Sequence, residues 1–178
     1  MSKKEKNREF KIDPAHSNIG FKVKHMMVAS VNGRFTTYEG YLLLPGENFE
    51  KASLRFIAKT ASINTNNEER DQHLRSADFF NAALYPELYF ESTGIKKVKS
   101  NFYRVAGFLK MNGIKNPIQL EAQFNGILMD PAGIERVPLT MYAKIDRLNW
   151  NMKWNKPLES GGILVSKEVN LIIECEFI

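Results

Sequence analysis

Pro117-Ile118-Gln119-Leu120-Glu121-Ala122-Gln123-Phe124-Asn125 alternates strictly between apolar and polar side chains. A period of two puts Ile118, Leu120, Ala122 and Phe124 on one face and the three intervening polar residues and Asn125 on the other, as in a strand with one wet and one buried face. The rhythm returns on both sides of this stretch. Ile19, Phe21 and Val23 alternate with Asn18, Lys22 and Lys24. Ala52, Leu54, Phe56 and Ala58 alternate with Ser53, Arg55 and Lys59, and Val165, Val169, Leu171, Ile173, Cys175 and Phe177 with Glu168, Asn170, Glu174 and Glu176. Further strands are expected at 29–36, 38–44, 87–97, 102–112 and 139–148. Turn chemistry between them is supplied by Asn32-Gly33, Pro45-Gly46, Asn112-Gly113, Asn116-Pro117, Asn125-Gly126, Asp130-Pro131-Ala132-Gly133 and Gly161-Gly162.

One segment departs from this rhythm. Asn66 to Ser76 offers an Asn able to cap a helix, acidic residues in the first turn and a basic residue in the last, which predicts a short helix at about 67–76. About eight antiparallel strands with one apolar face must hide both that face and the sheet edges. Closure into an all-β, eight-stranded barrel meets both demands, with the helix across one mouth or one side. A two-sheet sandwich would show the same alternation.

At 178 residues the chain is expected to form a single domain over 10–178, preceded by a flexible basic tail at 1–9. Hydrophobic residues make up 43%, enough for a sizeable core and too many for a disordered chain. The net charge of +5 suggests nucleic acid until its location is considered: residues 1–11 carry five basic and two acidic residues, which leaves the body at only +2. Lys96, Lys97 and Lys99 read as a solvated strand end, so no nucleic-acid partner is expected. No apolar run reaches the length of a spanning helix, so membrane contact is expected to be peripheral at most. The opening residues are charged where a secretory signal needs an apolar core. With Cys175 the sole cysteine, a cytoplasmic protein is expected, or a periplasmic one if a leader has been removed.

The chemistry-bearing residues are few. Asp13-Pro14-Ala15-His16-Ser17 holds an acid, a base and a hydroxyl, but bunched around a proline they read as an Asx-type turn with local hydrogen bonding rather than a triad. His25 continues the parity of Ile19, Phe21 and Val23, so it projects inward, where an imidazole can meet a ligand head group or a protein partner. Metal-ligand spacings and phosphate-cradling glycine loops are lacking, so neither a metal site nor a cofactor is expected. What is abundant is soft apolar bulk, with 12 Phe and 7 Met, and such residues fill cores and line pockets alike.

The chain resembles the YceI, or polyisoprenoid-binding, family from Phe10 to Phe177. The resemblance is carried by Ile12-Asp13-Pro14-Ala15-His16-Ser17 followed by Phe21-x-Val23-x-His25, by Val31-x-Gly33-x-Phe35, and by Ala61-Ser62-Ile63-x-Thr65. Arg70-Asp71-x-His73-Leu74-x-Ser76-x-Asp78-Phe79-Phe80, Tyr85-Pro86, Phe90-x-Ser92, Val105-x-Gly107-x-Leu109 and Gly161-Gly162-x-Leu164-Val165-Ser166-x-Glu168-Val169 follow in order. It implies a lipocalin-like barrel whose apolar tunnel takes a polyisoprenoid, an isoprenoid quinone, a fatty amide or a similar long-chain amphiphile; it implies no enzymatic activity, and a homodimer by analogy. Asp146-Arg147-Leu148-Asn149-Trp150-Asn151-Met152 departs from the family pattern, which usually has Phe-Gly after the Arg-containing strand; an Asn tolerates a left-handed backbone and can keep the turn, while the Trp is expected to alter the pocket wall. Strand parity places an aliphatic tail among Ile19, Phe21, Val23, Leu42, Leu54, Phe56, Phe90, Leu120 and Phe124. Residue chemistry makes His25, Arg70 and His73 candidates for the polar end. The alternatives are an enzyme on a small apolar substrate with His25 as base, and a solid-core structural or interaction domain.

Overall fold

A computed structural model describes residues 7–178. In chain order the elements are β1 (Asn7–Lys11), β2 (Asn18–His25), β3 (Ala29–Phe35), β4 (Tyr38–Pro45), β5 (Ser53–Lys59), β6 (Ile63–Asn64), α1 (Glu68–Arg75), β7 (Glu87–Lys99), β8 (Phe102–Met111), β9 (Ile114–Phe124), β10 (Leu128–Met129), β11 (Glu135–Asp146) and β12 (Val165–Phe177). The last strand ties the sheet into a ring. One edge of β12 pairs with β11 from Asp146↔Glu168 to Val137↔Phe177, and the other pairs with β2 from Val165↔His25 to Glu174↔Asn18. Past Glu174 the second edge passes to the end of β1: Ile12 bridges Phe177, and Lys11 and Ile178 exchange two N–H···O bonds of 2.8 Å. Antiparallel ladders β1–β4, β4–β5, β5–β7, β7–β8, β8–β9 and β9–β11 complete the circuit.

The ring is the expected eight-stranded, lipocalin-like barrel once three breaks are recognised as corners within long strands. β1 and β2 form one run interrupted by a 3₁₀ turn at Pro14–His16, β3 and β4 one run bent at Thr36-Thr37, and β5 and β6 one run bent at Thr60–Ser62. On one side of the corner β4 lies between β1 and β5; on the other β3 lies between β2 and β6. The corner holds its backbone groups with local bonds: the Asp13 carboxylate accepts from Ala15 N–H at 3.0 Å, Ser62 Oγ accepts from Thr37 N–H at 3.0 Å, and Thr37 C=O accepts from Lys59 N–H at 2.9 Å. The Asp13–Ser17 segment is thus a turn, with His16 Nδ1 2.8 Å from Asp13 Oδ2 and Ser17 Oγ engaged with the backbone of Glu176.

Three expectations need correction. Of the tail expected at 1–9, residues 7–9 pair with Leu43–Pro45 in β1, and residues 1–6 lie outside the described residues. Asn32-Gly33 is no turn but part of β3, where Gly33 sits opposite Phe21. Asn116-Pro117 lies inside β9, whose hairpin turn is Asn112-Gly113, both at positive φ. Proline is tolerated there because β11 joins β9 only from Glu121 onward, leaving that edge unpaired.

The two ends of the barrel differ. At the end where β4 turns into β5, Phe49 stacks on Phe124 at 4.5 Å between ring centroids and meets the edge of Tyr103 at 5.0 Å, over the buried Leu42, Leu44 and Leu54. This half is solid. At the other end α1, residues 76–86 and the 147–164 segment cover the mouth. α1 begins one residue after the expected start, with Asn67 as its cap: Oδ1 accepts from Arg70 N–H at 2.9 Å. Buried Asp71 fastens the helix by accepting from Thr65 N–H at 2.9 Å and Thr65 hydroxyl at 2.5 Å.

The solid end is laced by Arg136, which donates to Asp130 at 2.8 Å and to Asp13 and Glu176 at 3.1 Å each. The His16 hydrogen bond, helped by Ala15 N–H and Arg136, holds Asp13 below its ordinary value of 3.8, and Ile134 N–H with Arg136 does the same for Asp130. Carboxylates with depressed folded pKa values stabilise the fold above their unfolded pKa and lose that contribution as pH falls through the folded one. Urea midpoints measured from about pH 6 to pH 2 should therefore fall with acidification below about pH 4, and Asp130→Asn should flatten part of that fall.

Candidate functional site

The cavity arises where the eight-stranded ring lacks side chains long enough to meet across it. Inward positions of β2, β5, β7, β8, β9 and β12 supply Ile19, Phe21, Val23, Phe56, Phe90, Leu109, Leu120, Val169, Leu171 and Ile173. The covering segments add Leu74, Phe79, Phe80 and Met152. They line a partly open space of about 140 Å³ onto which no polar atom faces. An apolar space of that order is large enough for a benzene-sized guest. Two aromatic walls are set by glycines on neighbouring strands: a Cβ on Gly33 would come within 2.2 Å of Phe21 Cζ, and one on Gly107 within 2.6 Å of the Phe90 ring.

A second compartment of about 450 Å³ adjoins the first. Phe21, Val23, Leu74, Phe79 and Val165 border both, while Asn67, Glu69, Arg70, His73, His25, Trp154 and Leu164 border only the outer one. The arrangement is an apolar inner chamber beside a vestibule whose largely apolar wall carries a few polar side chains. In the vestibule His73 Nε2 lies 2.8 Å from Asp78 Oδ2, and its ring meets the edges of Trp154 and Phe79 at 4.6 and 5.2 Å. Arg70 spends its Nε and one Nη on Thr65, at 2.7 and 2.9 Å. The guanidinium of Arg70 has five N–H donors, and the remaining three have no partner among the described residues.

Of the residues singled out from the sequence, Ile19, Phe21, Val23, Phe56, Phe90 and Leu120 line the inner chamber, and His25, Arg70 and His73 share the vestibule wall. Leu42, Leu54 and Phe124 are buried in the solid half instead, because Phe49 fills the barrel there. Strand parity cannot distinguish a filled level from an empty one. Phe79, Phe80, Met152 and Trp154 were missed because they come from irregular segments without periodicity. Arg147 was missed as a structural residue: 4% exposed, it donates to four backbone carbonyls, of Ser166 at 3.0 Å, Trp154 at 3.0 Å, Val165 at 3.3 Å and Met152. Burial lowers its pKa. Its stem reaches the chamber while its head staples the 147–154 segment onto the start of β12. In the departure at Asp146–Met152, Asn151 adopts the left-handed φ of 59°, and Trp150 is buried and donates from Nε1 to Leu109 C=O at 3.0 Å, lining neither compartment rather than altering the pocket wall.

A model of the YceI-like domain matches residues 10–177. The chain belongs to the YceI family. It is 34% identical over 171 residues to a UPF0312 protein of Staphylococcus aureus, covering 94% of this chain and 96% of the relative. Among solved structures it is similar to the Campylobacter jejuni YceI protein, with a TM-score of 0.72 at 29% identity over 92% of this chain and 94% of that one. It shares the fold of Burkholderia cenocepacia BcnA, with a TM-score of 0.77 at 19% identity over 93% and 98%. The fold is also that of a polyisoprenoid binding domain from Saccharophagus degradans, with a TM-score of 0.64 at 14% identity over 94% and 97%.

Phe21, on the border between the compartments, is expected to set how much guest the YceI barrel accepts. Gly33→Ala should drive the Phe21 ring into the void, costing about 1–3 kcal/mol of stability and shrinking uptake of a fluorescent alkyl probe. Phe21→Ala should join the compartments and raise uptake of long-chain probes while costing about 2 kcal/mol or more. Chemical denaturation and probe titration on both variants check the pair.

Proposed function

We propose that the protein binds a long-chain amphiphile of isoprenoid type and sequesters or carries it, with the hydrocarbon in the inner chamber and the head group in the vestibule. The observation that carries this reading is the wholly apolar space inside a closed barrel, bordered by an outer compartment walled by His25, Arg70 and His73. Each methylene moved from water into such a lining contributes about 0.8 kcal/mol, so even a short run of chain gives a strong gross driving force. The polar groups then set orientation rather than strength. A head group with oxygen acceptors, such as a quinone carbonyl, an amide or a phosphate, suits the free donors of Arg70.

The inner chamber alone is too small for a long chain. A polyprenyl tail would occupy both compartments or displace the rings of Phe21 and Phe79, which border them. Family membership supports a binding role, and the domain from Saccharophagus degradans, described as polyisoprenoid-binding, shares this fold. No reaction is assigned to the vestibule: among the hydrogen bonds of the described residues, neither His25 nor His73 has a nucleophile beside its ring.

Trp154 provides the readout. It lines the vestibule, whereas Trp150 does not. Titration of lipid-free protein with an isoprenoid quinone should quench tryptophan emission, and Trp154→Phe should abolish most of the quench while mass spectrometry of an organic extract still finds bound lipid. A protein that yields no lipid on extraction and shows no quench with quinones or fatty amides would overturn the reading.

A further inference from the structure

The β2–β3 hairpin ends in Met26, Met27 and Val28, which are 52, 67 and 88% exposed. Three consecutive apolar side chains at a hairpin tip contribute nothing to the core. Met26 and Met27 also adopt φ of 51° and 64°, a region that favours Gly or Asn and disfavours long side chains. The tip therefore sacrifices both hydration and turn propensity to hold apolar groups in solvent. It is also well supported: Met26 N–H donates to Leu164 C=O at 2.8 Å, and Leu164 N–H donates to Lys156 C=O at 3.0 Å. Ile163, 45% exposed, extends the patch onto the neighbouring segment.

The surroundings of this patch are basic. From Pro14 to Tyr38 there is no acidic residue, while Lys22, Lys24 and Arg34 are all exposed on the hairpin. The adjoining 147–166 segment adds exposed Lys153 and Lys156 against Glu159 alone. The nearest other acids on neighbouring elements are partly engaged: Glu168 with Lys144, Asp146 with Lys167, Glu68 with Arg75 and Asp78 with His73, and Glu69 faces the vestibule. The solid end of the barrel also exposes apolar residues, Val98, Phe102, Leu128, Met129 and Ile134, beside Lys96, Lys97 and Lys99, but there the exposed Glu47 and Glu50, and Asp130 and Glu135 engaged by Arg136 and Arg8, are interspersed with them. Position distinguishes the tip further, since His25 and Val31 of the same hairpin and Leu164 beside it border the vestibule.

The geometry points to a docking surface for an anionic lipid bilayer: Met26, Met27, Val28 and Ile163 enter the head-group layer, Lys22, Lys24 and Lys156 meet anionic head groups, and the vestibule is brought to the membrane. An exposed apolar cluster flanked by cations is the composition that interfacial binding requires, since apolar insertion and electrostatic attraction add. This inference goes beyond ligand binding and is separable from it. A barrel can hold lipid without docking, and a tip can dock on an empty barrel.

Flotation of the full chain with phosphatidylcholine vesicles containing 30% phosphatidylglycerol, against pure phosphatidylcholine vesicles, is the test. The protein is expected to partition at least about fivefold more strongly onto the anionic vesicles, and the excess should fall as salt rises from 0.05 to 0.5 M. The combined substitution Met26→Ser, Met27→Ser, Val28→Ser should lower partition about tenfold, and Lys22→Gln with Lys24→Gln should remove most of the preference for anionic lipid. Both variants should keep the wild-type denaturation midpoint and the wild-type load of quinone delivered from detergent, which separates failure to dock from failure to bind. Equal partition on neutral and anionic vesicles would overturn the proposal. So would serine variants that float like the wild type, or a tip whose substitution converts a dimer to monomers with vesicle binding unchanged.

Discussion

Pairing of β12 on both edges from Val169 to Phe177 is the constraint from which the site follows. A strand satisfied on one side by β11 and on the other by β2 and then β1 leaves the sheet no free edge there, and the inward faces of eight strands must then share one enclosed space. The space is wider than the side chains lining it can fill at every level. At one end Phe49 enters from the connection between β4 and β5 and stacks into the gap. At the other no strand residue does this, and the roof is built from α1, residues 76–86 and the segment stapled by Arg147. The break shared by three adjacent long strands lets β3 and β6 turn away toward that roof while β4 and β5 stay in the wall.

How much of this was legible depended on periodicity. Strands such as β9 and β12 have one wet and one buried face, so alternation located them within a few residues. α1 was located by its cap and by charges matched to its ends, which depend on local backbone groups rather than on distant packing. β1 was hidden because Asn7, Arg8 and Glu9 look like a charged tail, yet only Asn7 and Glu9 face outward, while Arg8 shares the parity of Phe10 and is held by Glu135. The apparent turns at Asn32-Gly33 and Asn116-Pro117 misled because glycine and proline also serve strands, the one where an aromatic ring crosses the backbone and the other at an unpaired edge.

The candidate site was legible in its wall and illegible in its extent. Parity correctly places Leu42, Leu54 and Phe124 inward with Ile19 and Phe90, but depth along the barrel axis is set by what the loops insert at each end, and neither Phe49 nor Phe79 announces its position through spacing. His25 comes from β2, and Arg70 and His73, one turn apart, from one face of α1; their common wall follows from Asp71 and Thr65 clamping the helix across the mouth, a long-range consequence of a short-range motif.

The space that the side chains leave unfilled has an energetic cost. A sealed apolar cavity costs roughly 24 cal/mol per Å³, which sets an upper bound on the order of 3 kcal/mol of packing forgone for about 140 Å³. Against a typical total stability of about 5–15 kcal/mol that is a substantial sacrifice. One larger side chain in place of Val23, Val165 or Val169 would reduce it. Gly33 and Gly107 work in the opposite direction to filling: they let Phe21 and Phe90 lie back against the wall, where any Cβ would push the rings inward. A core arranged for stability alone would close this space, whereas one whose rings are drawn aside by glycines keeps it open. On the proposed reading the guest restores the missing contacts, so occupancy and folding stability are linked through the same void.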